Sequence, residues 1–507
     1  MESRCQCRLL KTGNNTGTRP VKGGSNMAEK PVTAIQRIPM LLGNEEVETS
    51  RLRTISLPYD GTPVAEVYDA DAATVDRAIA AAQAGARVMA SLTQYERAEL
   101  LDRLRRLLAR DAEEFARLLC LETGKTIREA RIEVARALTT LEASADAARG
   151  LRGEVVPIEA APGGQGRWAV TVREPLGIVA AITPFNFPLN LALHKIGPAL
   201  AAGNSVVHKP SENTPLSALR LARLAAEAGT PPGAYNVVTG PGEETGSRIV
   251  GDPRIAMITF TGSAEVGQQI RAVAGLRRVT LEMGSNSSVI LEPDCDLDWL
   301  VPRCVGSAYA LAGQVCISLQ NIYVHESIAD KFTERFLAGV RALKVGHPLD
   351  ETTDMASLIS VAAAERVESW IQRAVARGGR LLTGGKRRGS VIEPAVLDNV
   401  PADEDICCKE AFGPLAVIHR YSELDQAIDA VNASVYGLQA GICTRDIDKA
   451  FKAARRLHTG GVIINDVPSF RVDLMPYGGT KMSGVGREGP RYAVEEMTEL
   501  KLICWRG

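Results

Sequence analysis

Aromatic residues are scarce in this chain: Phe, Tyr and Trp together make up 5% of its 507 residues. No basic stripe is interleaved with them, and 59 Lys and Arg stand against 60 Asp and Glu for a formal charge of -1. That balance lacks the electrostatic footprint of a nucleic-acid partner. Long apolar runs are absent too. Stretches such as Gly177–Pro184 are broken by Pro, Asn or charge well short of the roughly 20 residues a spanning helix needs, so no membrane partner is expected. The ten cysteines form no pair of CxxC hooks: Cys5/Cys7 and Cys407/Cys408 have the wrong spacing, and the six histidines do not cluster near them. No metal site is expected from that pattern. Scattered thiols in a chain of this size fit a reducing, cytoplasmic compartment.

What is present is an ordinary globular composition, 45% hydrophobic and 23% charged, at a length beyond what one core serves. Two or three domains are expected. Residues 1–26 stand apart, with Arg4, Arg8, Lys11, Arg19 and Lys22 against one acid, Glu2, and little apolar periodicity. They lack the apolar core of a secretory signal and the amphipathic pattern of a transit peptide. Three readings stay open for this stretch: a disordered tail, sequence ahead of a start at Met27, or a targeting segment such as a transit peptide.

The segment Thr93–Gly124 is strongly helical. Thr93 and Glu96 make a capping box, Leu100, Leu101, Leu104, Leu107 and Leu108 share one face, Asp111 starts a second helix and Gly124 stops it. From Gly177 onward short apolar runs alternate with helices. Gly177–Ile182, Ser205–His208, Tyr235–Thr239, Ile255–Thr259 and Arg278–Leu281 read as strands, and Thr214–Ala228 as a helix capped by Thr214. A second alternating stretch runs from about Asp296 to Val462. Strands alternating with helices imply parallel sheets, here two α/β units in series.

Several residues invite a chemical reading, and each has a plainer one. Gly240, Gly242 and Gly246 follow a probable strand, but their G-x-G-x-x-x-G spacing is not the usual dinucleotide fingerprint and serves equally as a turn. Gly262 and Ser263 join a strand to a helix, where free N–H groups suit a pyrophosphate. A cysteine such as Cys316 is more often a small buried hydrophobe than a nucleophile. Glu282 ends an apolar strand, where a carboxylate is costly without a task. Asn186 lies in an irregular loop, where an amide can be simple turn chemistry.

Together these segments resemble the aldehyde dehydrogenase superfamily from about residue 40 to the C-terminus. The resemblance rests on Thr183-Pro-Phe-Asn-Phe-Pro188, His208-Lys-Pro-Ser-Glu212 and Phe260-Thr-Gly-Ser263. It continues through Leu281-Glu-Met-Gly284, Gly313-Gln-Val-Cys316, Glu410-Ala-Phe-Gly-Pro414 and Pro476-Tyr-Gly-Gly479, in the family's order and at about its spacing. Within the superfamily it looks most like the lactaldehyde dehydrogenase-like and non-phosphorylating glyceraldehyde-phosphate dehydrogenase-like branches.

The resemblance implies a thioester mechanism with NAD. Cys316 would attack the aldehyde carbon as a thiolate whose pKa is lowered by an electropositive site. Asn186 and the Cys316 N–H would hold the oxyanion, Glu282 would activate water against the thioester, and Lys195 would stand near this centre. Lys209 and Glu212 would bind the adenosine ribose, and the Glu212 carboxylate would favour NAD over NADP. Gly242, Gly262 and Ser263 would approach the adenine and pyrophosphate; Glu410 and Phe412 the nicotinamide ribose and ring. Thr183, Pro184, Phe185 and Ser211 complete the cofactor set, while Phe187, Val315, Ile317 and Arg471 would face the substrate.

The implied fold is α/β: a Rossmann-like NAD-binding domain over 27–149 and 174–288, an α/β catalytic domain over 289–475, and a small β oligomerisation arm. The arm and C-terminal segment take 150–173 and 476–507, and imply a homodimer or homotetramer. The sequence departs from the family pattern at three places. Phe185 stands where Trp is common, and Gly284-Ser285-Asn286 where Gly-Gly-Lys is frequent. Val315 stands where phosphate-handling relatives carry Arg, which argues against a phosphorylated substrate. Arg471 would clamp a substrate carboxylate or hydroxyl, or make a surface salt bridge. Two rival readings are a coenzyme A-acylating enzyme, which generally lacks the base Glu282, and a catalytically silent member of the fold.

Overall fold

The computed structural model describes residues 35–507; the expectation for residues 1–26 lies outside them. Each of the five runs read as strands forms one: Ile178–Ile182, Ser205–Lys209, Tyr235–Val237, Ile255–Gly262 and Arg278–Met283. They are largely buried, apolar and parallel, with helices packed against them, as crossover connections require. Two antiparallel additions complete a sheet of eight: Gly484–Val485 beside Arg278–Met283, and the hairpin Met40–Leu42/Glu45–Val47 beside Tyr235–Val237. Gly484–Val485 therefore belongs to this sheet rather than to the C-terminal arm segment expected for 476–507, because the chain returns to pair with Leu281 and Glu282.

The strand order places the site. From Ile178–Ile182 the chain winds outward to Ser205–Lys209 and Tyr235–Val237, then returns to the other side with Ile255–Gly262 and Arg278–Met283. At such a reversal the loops leaving the carboxyl ends of neighbouring strands diverge and open a crevice. The loops after Ile182, Lys209 and Gly262, together with Glu282 near the end of its strand, all reach this crevice.

Residues 284–287 then cross to a seven-stranded sheet ordered Arg380–Thr383, Ala395–Asp398, Leu415–Tyr421, Asn321–His325, Ser288–Leu291, Gln439–Cys443, Gly461–Ile464. All its pairings are parallel except that of the Arg380–Thr383 edge. A third, three-stranded antiparallel sheet joins Val155–Val156, Arg167–Pro175 and Thr498–Arg506, with Trp168 stacked near Trp505. No described helix is long and apolar enough to cross a membrane.

Some helix ends follow local chemistry and others are capped from a distance. The Thr93/Glu96 capping box opens Gln94–Arg110, and Gly124 closes Ala112–Thr123 in the left-handed conformation. Thr214 does not cap the helix that follows it: its hydroxyl is buried without a partner among the described residues. The helix Leu216–Glu227 is capped instead by the buried carboxylate of Glu122, which accepts from the N–H groups of Leu216 (2.7 Å) and Ser217 (3.2 Å). That contact spans more than 90 residues, so no local pattern announces it.

Candidate active site

A cavity of about 870 Å³ occupies the crevice between the two large sheets. Its walls bring together Thr183, Pro184, Phe185, Asn186, Lys209, Ser211, Glu212, Gly242, Gly262, Ser263, Glu282, Cys316, Glu410, Phe412 and Arg471. Four predicted residues are not among its walls. Lys195 is fully buried on the helix Asn190–Ala202, donating to Glu488 (2.7 Å) and Thr259 (3.3 Å), and its charge also lowers Glu282 against the effect of burial. The Phe187 ring turns toward Lys125, whose ammonium lies 4.6 Å from its centroid. Ile317 packs with Leu438 and Tyr477 in a small apolar cluster that Val315 and Cys316 border.

Cys316 follows a strained stretch: Leu311, Ala312 and Gly313 all have φ between 53° and 73°. At Gly313 any side chain is excluded, since a Cβ would come 2.1 Å from the Gly413 carbonyl oxygen. The Cys316 Sγ lies 2.8 Å from the Tyr477 hydroxyl. The expected lowering of its pKa is not found. Burial among apolar neighbours pushes the thiol up to about 11, against the Tyr477 hydrogen bond and the charge of Arg471. Glu410 and Glu282, on the same cavity, push it in the same direction as burial.

Asn186 directs one amide N–H at the Gln314 carbonyl (2.9 Å), two residues before Cys316, leaving its second N–H for another acceptor. Its loop is anchored from below. Lys125 and Glu133 form a fully buried ion pair; Lys125 also donates to the Asn186 carbonyl (2.6 Å), and Glu133 accepts from the N–H groups of Leu189 (2.9 Å) and Asn190 (3.0 Å).

Glu282 is placed by strand pairing, between Thr261 on one side and Gly484 on the other. It is 3% exposed, and neither carboxylate oxygen has a hydrogen-bond partner among the described residues. A Cβ on Gly478 would come 2.7 Å from both its Oε1 and the Gly486 carbonyl oxygen, and the backbone contact leaves room only for glycine beside it. Burial, and then the charge on Glu488, hold Glu282 well above the usual carboxylate range. Glu488 goes the other way. Burial alone would raise it, yet Lys195, His194 and Arg471 hold it at about 2.

Arg471 is buried rather than a surface cation. Its guanidinium lies 3.6 Å from the Tyr477 ring centroid and contacts Glu488 (3.3 Å), while its Nε has no partner among the described residues. At the second sheet's edge of the cavity, burial raises Glu410 to about 7, against the N–H of Ser285 (3.1 Å). A Cβ on Gly284 would come 2.1 Å from Glu410 Oε2, so a side chain there would push the Glu410 carboxylate aside. Asn286, which replaces a frequent lysine, binds the Cys407 carbonyl (2.8 Å) and Ser434 (2.7 Å) and ties the crossover to the second sheet. Phe412 has a left-handed φ of 46° and meets Phe185 edge-on at 5.7 Å. Far along the cavity, burial lowers Lys209 to about 8, and Glu212 is exposed. Gly242 opens a single π-helical turn, Gly242–Gly246, beside Lys209.

Sequence reasoning missed Tyr477, Glu488, Lys125 and Glu133. Tyr477 sits in a quoted motif, but nothing local says that its hydroxyl reaches Cys316; the other three act through partners at least eight residues away.

The family described as "Aldehyde dehydrogenase family" matches residues 46–503. The chain belongs to the aldehyde dehydrogenase family. It is 47% identical over 472 residues to the 3-sulfolactaldehyde dehydrogenase of Priestia aryabhattai, covering 93% of this chain and 98% of that protein. It is 42% identical to the lactaldehyde dehydrogenase of Methanocaldococcus jannaschii, covering 88% and 96%. A solved structure of the glyceraldehyde-3-phosphate dehydrogenase GapN of the same organism, complexed with NADP, superposes with a TM-score of 0.87 at 41% identity, covering 90% and 100%. The expected α/β fold, family and enzymatic class thus hold, including the two branches the motifs resemble.

Proposed function

We propose that this member of the family oxidises a small hydroxylated or carboxylated aldehyde to its acid through a thioester on Cys316, with NAD as cofactor. The observation that carries this reading is one cavity holding a thiol, an amide with a free N–H, and a carboxylate with two unpartnered oxygens. A buried carboxylate left without partners is costly unless a ligand or water uses it.

The residues present fit a nicotinamide dinucleotide. Lys209 and Glu212 would hold the adenosine ribose, Gly242 and the Gly262–Ser263 turn the adenine and pyrophosphate, and Glu410 with Phe412 the nicotinamide end. Thr183, Pro184, Phe185 and Ser211 form the adjoining wall. When bound, that group supplies the hydride acceptor. Cys316 sulfur bonds to the aldehyde carbon, and the Asn186 amide and Cys316 N–H receive the oxyanion. Loss of hydride leaves a thioester on sulfur. Glu282 takes a proton from water as the water attacks that carbonyl, and its raised pKa makes it a stronger base than an ordinary carboxylate. Its retention in the cavity favours hydrolysis over transfer to coenzyme A, and the full set speaks against a silent member.

For the substrate, the three relatives are named for aldehydes that each carry a hydroxyl beside the carbonyl. Arg471 offers a buried guanidinium for that hydroxyl or for a carboxylate. Val315 offers no charge to a phosphate. The exposed apolar side chains Trp168, Leu500, Leu502, Ile503 and Trp505 on the third sheet support a homodimer or homotetramer. The eight described cysteines are free, as suits the cytoplasm. The test is reduced-nicotinamide absorbance with lactaldehyde, glyceraldehyde and succinic semialdehyde. Wild type should turn over at least one of them and Cys316→Ala none; turnover by Cys316→Ala near wild type refutes the reading.

A further inference from the structure

Cys316 presents a difficulty that the mechanism leaves open. Its thiol is half-buried in the cavity wall, with Ile317, Leu438 and the Tyr477 ring on one side, so water solvates a thiolate there only in part. Among the described residues the Tyr477 hydroxyl, at 2.8 Å, is the one side-chain hydrogen-bond partner of the sulfur. This contact is built rather than incidental. Tyr477 is 2% exposed, and its backbone pairs twice with Glu488, N–H to carbonyl at 3.1 Å and carbonyl to N–H at 2.7 Å. The Arg471 guanidinium covers the ring face at 3.6 Å and leaves the hydroxyl edge pointed at sulfur.

We propose that Tyr477 is a catalytic residue: its hydroxyl donates to Cys316 Sγ and holds the thiolate ready for attack. This rests on the reading of Cys316 as nucleophile. The S–H proton leaves to solvent through the open cavity that Cys316 lines, sulfur keeps the electron pair, and the Tyr477 proton stays on oxygen. Burial raises the Tyr477 pKa well above the ordinary phenol range, so the hydroxyl remains a donor throughout. A hydrogen bond to a charged acceptor is about twice as strong as a neutral one, so the contact favours thiolate over thiol.

The test is the pH dependence of Cys316 alkylation by iodoacetamide, in brief pulses and read on the Cys316 peptide by mass spectrometry. Losing the donor in Tyr477→Phe should raise the thiol midpoint by at least about one unit, leaving roughly tenfold less thiolate at pH 8. Each remaining thiolate is more basic and about threefold more nucleophilic, so alkylation at pH 8 slows by about threefold. The order reverses only above the wild-type midpoint, by about half a unit, where both thiols are largely ionised and the more basic thiolate of the variant reacts faster. Crossing profiles with unchanged NAD affinity support the proposal; a ring that merely packs would not produce a crossing. Superimposable profiles overturn it. Because Tyr477→Phe could disturb the ring, 3,5-difluorotyrosine at position 477 keeps the ring and makes the hydroxyl a stronger donor. It should move the midpoint down, and an unmoved midpoint also overturns the proposal. Active Cys316→Ala enzyme would instead remove the underlying reading, whatever Tyr477 does.

Discussion

Cofactor choice should turn on the charge at Glu212. Its carboxylate is exposed at the end of the cavity where Lys209 lies buried. A 2'-phosphate placed beside it would bring a charge of about -1.5 to -2 near a negative charge. Because Glu212 is exposed, the appropriate medium is close to water, where unit charges about 4 Å apart interact by about 1 kcal/mol. The repulsion is then about 1.5 to 2 kcal/mol, or roughly tenfold to thirtyfold in catalytic efficiency for NAD over NADP. Two cations limit it: the Arg53 guanidinium donates to the Glu212 carbonyl (2.5 Å), and Lys209, lowered to about 8 by burial, is still mostly charged at pH 7. Glu212→Ser removes the repulsion and leaves both cations, so the ratio should fall to about one or reverse. Steady-state kcat/KM with each cofactor at about 0.05 and 0.5 M salt measures this, and the wild-type preference should shrink at the higher salt. Wild type preferring NADP, or a ratio unmoved by Glu212→Ser, would refute the argument.

Other predictions follow from the cavity's buried groups. Glu282→Gln should keep the pre-steady-state burst of reduced cofactor but slow the steady state by about a hundredfold or more, as stopped-flow absorbance reads directly. Burial holds Cys316 at about 11 and Glu282 above the usual carboxylate range, so both reactive forms are gained as protons leave. Turnover should therefore rise from pH 6 to pH 9, and a falling profile would contradict that assignment. Lys125→Met strips the donor beneath the Asn186 carbonyl and leaves Glu133 buried without its partner. It should cost about 3 to 5 kcal/mol of stability by thermal or denaturant unfolding, and a change below about 1 kcal/mol would show the pair to be dispensable.

The fold was legible because the central strands are parallel and buried, which writes them as nearly continuous apolar runs such as Ile178–Ile182. The residues around the reacting atoms were legible as motifs, since Asn186, Glu282 and Cys316 each lie in a short distinctive run. What stayed hidden is tertiary. Glu122 rather than Thr214 caps the helix Leu216–Glu227, since the capping carboxylate arrives from another helix. The direction of the Cys316 shift depends on packing against Leu438 and Tyr477, residues more than 120 positions away. Arg471 read equally well as surface cation or substrate clamp until Tyr477 and Glu488 were seen to enclose it.

The central claim is a covalent acyl group on Cys316, and peptide mapping of acid-quenched Glu282→Gln tests it most directly. The variant is mixed with NAD and the best aldehyde of the panel, quenched within the burst, digested and weighed. The account predicts an acyl mass increment on the Cys316 peptide, in amount equal to the cofactor reduced. Reduced cofactor formed with no increment on that peptide would contradict it.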